Sequence, residues 1–273
     1  MTSDEHPLIP RVLIFDSGVG GLSVYQEIRQ LLPDLPYIYA FDNACFPYGE
    51  QPQELIVERV LRTVAAVHQR HPLCMAVIAC NTASTISLPA LRKTFSFPIV
   101  GVVPAIKPAA AATRNGVVGL LATRATVKRP YTHTLIKQFA STCDVRLLGS
   151  AELVQLAEEK MQGKEIDKER LRAVLQPWLD AKPCPDVWVL ACTHFPLLKA
   201  ELQQLAPTGV QLIDSGQAVA RRVKSLFSDE LLAAAQGLSE PNRAYCTYWD
   251  EKTATLASLF TRENLGQLQL LPV

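Results

Sequence analysis

Short runs of β-branched and aromatic residues alternate with longer segments of helical period along the chain, a pattern that admits little besides an α/β fold built on parallel sheets. The runs fall at 12–15, 37–41, 77–79, 99–102, 117–121, 145–148, 187–191 and 210–213. Between them, 53–71 is the clearest helix, with Leu55, Val60, Val64 and Val67 among the apolar positions of one buried stripe. Further helices are expected near 22–32, 83–95, 126–139, 153–161, 168–179 and 218–235. No low-complexity segment or long linker interrupts them. A chain of 273 residues accommodates one large domain or two medium ones.

A weak internal echo favours two. Val77-Ile78-Ala79-Cys80-Asn81-Thr82 resembles Val189-Leu190-Ala191-Cys192-Thr193-His194, and in both an apolar run ends at a cysteine followed by hydrogen-bonding residues. Upstream of each lies a further strand-to-helix turn, Phe15-Asp16-Ser17-Gly18 in one half and Leu121-Ala122-Thr123-Arg124 in the other. In open parallel sheets ligands bind beyond the carboxyl ends of strands, where both cysteines are expected. Two similar halves facing each other would bring both thiols to one cleft. The division read from this is a first α/β domain over 11–100 and 210–273, carrying Asp16 and Cys80, and a second over 101–209, carrying Glu158, Cys192 and His194.

Charge and cysteine usage narrow the function classes. Lysine plus arginine (27) balances aspartate plus glutamate (26), so no strong field of one sign points to nucleic acid or an anionic membrane, and a small-molecule substrate is the default. Met1-Thr2-Ser3-Asp4-Glu5-His6-Pro7 lacks the pattern of a secretory signal, and no apolar run has the length of a membrane span, so a soluble cytoplasmic protein is expected. The seven cysteines form an odd set without C-x-x-C or metal-finger spacing, which reads as free thiols and no metal site. Cys45, Cys74, Cys143 and Cys184 lack a partner pattern and are read as bystanders.

The two strand-end thiols suit one kind of chemistry. Inverting a stereocentre through a carbanion needs a base on one face and a proton donor on the other, with the roles exchanged in the reverse direction. Matched cysteines meet that symmetry, with Asp16 placed to assist Cys80, and His194, two residues from Cys192, placed to assist the second thiol and to be oriented by Glu158. Without a metal or cofactor signature, fixed donors and excluded water would have to stabilise the carbanion. Each feature also has a plainer reading. Phe15-Asp16-Ser17-Gly18-Val19-Gly20-Gly21 resembles a phosphate-cradling turn but has Ser23 where a dinucleotide fingerprint has its third glycine. Asp16 and Ser17 can cap the next helix, as can Asn81 and Thr82 theirs, and a lone histidine such as His194 is more often structural. In Phe46-Pro47-Tyr48-Gly49, backbone amides and the phenol could reach a ligand.

The same stretches resemble the glutamate racemases of the aspartate/glutamate racemase superfamily. The matching residues are Asp16-Ser17-Gly18-Val19-Gly20-Gly21, Phe46-Pro47-Tyr48-Gly49, Ala79-Cys80-Asn81-Thr82-Ala83, Leu121-Ala122-Thr123, Cys192-Thr193-His194-Phe195-Pro196-Leu197-Leu198 and Asp214-Ser215-Gly216, in the family's order. The C-terminal segment beyond Gly216 matches only loosely. The resemblance implies a cofactor-independent enzyme of two α/β domains enclosing glutamate at their interface, supplying D-glutamate for peptidoglycan. It implies that Cys80 deprotonates the D-enantiomer and Cys192 the L-enantiomer, that Asp16 and His194 assist them, and that Asp16, Ser17, Tyr48, Gly49, Asn81, Thr82, Thr193 and His194 contact substrate. The family's auxiliary glutamate falls on Glu158, with Glu152 and Glu159 as competing alignments.

The chain departs from many members at Gly101-Val102-Val103-Pro104-Ala105-Ile106-Lys107-Pro108, a form similar to racemases of certain Gram-negative bacteria. In some of these a UDP-linked muramyl-alanine activates the reaction, and the same partner is an expectation here. Ala125 and Ala191 stand where glycine is common. The sequence leaves the oligomeric state open, with a homo-oligomer among the options. It also leaves open an aspartate racemase, a hydrolase with Cys192 as nucleophile and His194 as base, and a binding protein without turnover.

Overall fold

The computed structural model describes residues 9–237 and 240–273, so the leader reading made on Met1 to Pro7 lies outside the described residues. The chain runs β1 (Val12–Asp16), α1 (Leu22–Leu31), β2 (Tyr37–Phe41), α2 (Gln53–Arg70), β3 (Met75–Ile78), α3 (Asn81–Thr94), β4 (Ile99–Gly101), α4 (Ile106–Ala112) and β5 (Val117–Ala122). It continues through α5 (Arg124–Lys128), α6 (Pro130–Phe139), β6 (Asp144–Gly149), α7 (Glu152–Met161), α8 (Lys168–Leu179), β7 (Val187–Leu190), α9 (Lys199–Leu205), β8 (Gln211–Ile213), α10 (Gly216–Lys224), α11 (Asp229–Ala235), β9 (Arg243–Cys246), α12 (Glu251–Arg262) and β10 (Leu268–Leu270). Every strand pair among the described residues is parallel, as the alternation predicted.

The strands form a six-stranded sheet of order β10-β9-β2-β1-β3-β4 and a four-stranded sheet of order β6-β5-β7-β8. The echo in the sequence is therefore topological: β2-β1-β3-β4 repeats as β6-β5-β7-β8. Even single hydrogen bonds recur. Ala79 N–H donates to the Phe15 carbonyl and Ala191 N–H to that of Leu121, both at 2.7 Å. Asp42 N–H donates to the Asp16 carbonyl at 3.0 Å, and Ser150 N–H to that of Ala122 at 2.9 Å. Central strands are covered on both faces, so β1, β2, β3 and β7 are apolar nearly throughout and fully buried.

Helices α4, α9 and α12 were not expected, and of the further differences the first two have local causes. The helix expected over 126–139 is two helices, because Pro130 has no N–H to give and forces Arg129 into an extended conformation (ψ 136°). The helix expected over 218–235 is also two, since the Ser228 side chain accepts from Leu231 N–H and starts α11 afresh. Strands β9 and β10, not expected, extend the first sheet beyond β2. Finally, Gln211–Ile213 pairs with Val187–Val189 and so joins the second sheet, beyond the expected division at 209/210. Among the described residues, no helix is long and apolar enough to cross a membrane.

Candidate active site

Cys80 follows β3 and Cys192 follows β7, equivalent positions in the repeated strand order, and both thiols line one cavity of about 20 Å³. Ser17, Tyr48, Gly49, Asn81, Thr82, Thr193 and His194 line it with them, so the substrate-contacting set named from the sequence is brought together except Asp16, which stands behind Ser17. Phe46, Pro47, Thr123 and Val154 complete the wall. Thr123 is the counterpart of Ser17 at the end of β5; the echo carried that signal, whereas nothing marked Val154 in a helix of ordinary amphipathic pattern.

The plainer readings of the polar residues fail on geometry. Helix α1 begins after Gly21 with no side-chain cap, so neither Asp16 nor Ser17 caps it. Asn81 and Thr82 lie inside α3, whose N-cap position is Cys80 itself. The glycine run serves close approach: a Cβ on Gly20 would collide with the imidazole of His194, and one on Gly18 with the carboxylate of Glu158. These glycines let the second half press its catalytic candidates against the first.

The surroundings of the two thiols differ. On one side, Ser17 Oγ lies 3.9 Å from Cys80 Sγ and 3.4 Å from Asp16 Oδ1, while Asp16 accepts from Ser17 N–H (2.6 Å) and Thr193 Oγ1 (3.0 Å). Burial raises the Asp16 carboxyl above its ordinary range, against the opposing pull of His194 and its donors. Burial, then the charge of Asp16, also pushes the Cys80 thiol well up. On the other side, His194 Nδ1 lies 3.8 Å from Cys192 Sγ, and Nε2 is 2.8 Å from Glu158 Oε1, which also accepts from Val19 N–H at 3.0 Å. Burial disfavours a charged His194, but its hydrogen bonds to Cys192 and Glu158 outweigh that and raise its pKa well above the ordinary value. Burial thus favours the neutral form of the Cys80 thiol, and hydrogen bonding favours the charged form of the imidazole beside Cys192.

Of the three glutamates, only Glu158 reaches His194. Glu152 and Glu159 pair with Arg170 at 2.5 and 2.9 Å. Tyr48 differs from expectation in one respect: its phenol donates to Asp42 Oδ2 at 2.7 Å, so its proton is committed there and only the lone pairs of its oxygen are left to accept from a ligand. The other thiols sit away from this cavity, and burial pushes Cys74 up to about 12 and Cys246 to about 11, in keeping with inert side chains.

Comparison with known proteins points to one family. Residues 12–223 match the sequence family described as Asp/Glu/Hydantoin racemase. The chain is 60% identical over 265 residues to the glutamate racemase of Serratia proteamaculans, covering 97% of this chain and 91% of that one. It is 59% identical to that of Klebsiella pneumoniae, with 97% and 93% covered. Among solved structures, Escherichia coli glutamate racemase, in complex with L-glutamate and the activator UDP-MurNAc-Ala, superposes with a TM-score of 0.91 at 54% identity over 97% of this chain and 98% of that chain. With both cysteine motifs inside the matched span, and relatives this similar over nearly their whole length, the chain belongs to the Asp/Glu/hydantoin racemase family.

Proposed function

We propose that this protein is a glutamate racemase that moves the α-proton between two thiols, and the observation that carries the mechanism is the pair of topologically equivalent cysteines on one enclosed cavity. Cys192, beside the His194 imidazolium, acts as thiolate on L-glutamate: its sulfur takes the Cα proton, and the electron pair stays on the substrate as a carbanion. Cys80, held as a neutral thiol, delivers its proton to the opposite face. The enzyme is left with Cys192 protonated and Cys80 as thiolate, the form that acts on D-glutamate. Asp16 and His194 assist the thiol on their own side, and Glu158 orients the imidazole.

The lining supports substrate recognition. Asn81 Oδ1 is buried without a protein partner and would accept from the substrate ammonium. The first amides of α3 are helix-terminal donors suited to an anion, and that of Ala83 already serves the Cys80 sulfur. Ser17, Thr82, Thr193 and the Tyr48–Gly49 backbone complete the contacts. The cavity has room for roughly one water molecule, so glutamate enters when the loops of the two sheets part, and their closing excludes water from the carbanion. The site is read as an interface between two domains, each built around one sheet. The product serves peptidoglycan synthesis in the cytoplasm.

With L-glutamate in deuterium oxide and no added cofactor, the purified protein is expected to abolish optical activity and to place deuterium at Cα of the D-product. Unchanged rotation and no exchange would overturn the racemase reading. Faster turnover of L-aspartate would overturn the glutamate assignment alone.

A UDP-linked muramyl-alanine is the proposed activator. A cavity of about 650 Å³ lies where Pro104, Ala105, Lys107 and Pro108 meet Lys199, Arg221 and Arg222, away from the thiols. Its four cationic side chains suit a pyrophosphate, with Glu27 and Asp214 also on the wall. Lys107→Ala and Arg222→Ala are expected to raise the half-activating concentration about 10-fold each, the cost of one charge-assisted contact, with unactivated turnover retained. Wild-type kinetics indifferent to the nucleotide would remove this partner.

A further inference from the structure

Asp42 lies outside the cavity and outside every motif that the sequence sets apart. It is fully buried (0% exposed), and a carboxylate so far from water persists only with donors on its lone pairs. Tyr48 Oη donates to Oδ2 at 2.7 Å, Arg59 donates through Nε to Oδ2 at 2.9 Å and through Nη2 to Oδ1 at 2.6 Å, and Thr247 Oγ1 donates to Oδ1 at 2.6 Å. Burial would raise the carboxyl, but these donors outweigh it and hold Asp42 below the ordinary carboxylate range. Each oxygen already accepts two bonds. Nothing is left on Asp42 for a substrate or a mobile proton, so any part it plays in the reaction is through its neighbours.

Those neighbours connect distant parts of the chain to the cavity. Tyr48 and Gly49 form one of its walls. Asp42 N–H donates to the Asp16 carbonyl, so the same residue ties the end of β1 to the Tyr48 lip. Arg59, on α2, also donates to the Val273 main-chain oxygen at 3.3 Å. Thr247 directly follows β9, in a segment that gives no residue to the cavity wall. The loosely matching C-terminal segment therefore meets the site through this carboxylate.

We propose that Asp42, clamped by Arg59 and Thr247, is the positioning residue for the Tyr48–Gly49 lip and governs how tightly the amino-acid substrate is held rather than how fast its proton moves. The inference rests on the racemase reading above. Thr247→Val removes one donor and leaves the Arg59 fork in place. Losing one hydrogen bond of the clamp should raise KM for glutamate about 3- to 10-fold, with kcat within about a factor of two of wild type. Arg59→Met should raise KM further, and Arg59→Lys should recover part of the loss. Thr63→Val is the structural control: it removes a buried hydroxyl from the same helix that bonds only the Arg59 carbonyl. Steady-state kinetics in both directions, with a thermal melt of each variant, decide the matter. KM unchanged in Thr247→Val, a fall in kcat at constant KM, or an equal KM rise in Thr63→Val would each overturn the positioning role. A wild-type enzyme without racemase activity would instead refute the underlying reading, and it is assayed first.

Discussion

Replacing Cys80 or Cys192 by serine is expected to lower glutamate racemisation by about 10²–10⁴-fold, the range for a positioned acid or base, while each variant keeps one half-reaction. A hydroxyl is a far weaker acid than a thiol, whose unperturbed pKa is about 8.5, so the substituted side can neither take nor return the α-proton at a useful rate. Racemisation needs both sides. Elimination from a β-chloro analogue needs one: the remaining thiolate takes the Cα proton, the electron pair forms the carbon–carbon double bond, and chloride leaves. Because that step is irreversible, the two enantiomers of the analogue are not bound by the equality that an equilibrium constant near one imposes on kcat/KM for the two glutamates. Cys80→Ser should eliminate chloride from the L-analogue through Cys192, and Cys192→Ser from the D-analogue through Cys80. Chloride release from the same enantiomer by both variants would exclude thiols acting on opposite faces.

The assignment of sides depends on how much of the site the sequence made legible. The alternation of runs gave β1 to β8 to within a residue or two, most plainly for the central strands, which are covered on both faces and must be apolar throughout. Strands β9 and β10 were hidden because Arg243-Ala244-Tyr245-Cys246 and Leu268-Gln269-Leu270 carry no β-branched residue, and β9 joins the sheet through β2, far away in the chain. The two cysteine motifs were legible because the repeat of strand order is also a repeat of sequence. Glu158 was hard to separate from Glu152 and Glu159, yet helix geometry contained the answer. Residues 152 and 159 are two turns apart and share a face, where Arg170 meets both, whereas Glu158 is rotated roughly 100° away toward His194. The bond from the Tyr48 phenol to Asp42 was beyond reach, because Asp42 was not in any motif.

His194→Asn is expected to lower kcat/KM by about 10²-fold in both directions alike, since the equilibrium between the enantiomers fixes their ratio. The asymmetry of the site should show in isotope effects. With Cys192 the weakened base, abstraction limits the reaction of α-deuterated L-glutamate, so its substrate isotope effect on kcat/KM rises. From α-deuterated D-glutamate, reprotonation by Cys192 limits instead, and the substrate isotope effect falls. The charge on the imidazole has a separate signature in stability. Hydrogen bonds to Cys192 and Glu158, outweighing burial, raise its pKa in the folded protein above the unfolded value near 6.5. A group raised in this way stabilises the fold fully below the unfolded pKa, and the contribution is lost as pH rises through the folded pKa. Urea melts should therefore show the stability deficit of His194→Asn shrinking from pH 6 to pH 9. A constant or growing deficit would mean that the imidazole is neutral in the fold. Equal isotope responses from the two enantiomers would separate His194 from Cys192, and the imidazolium would then serve only to hold Glu158 and the Gly18–Gly20 turn in place.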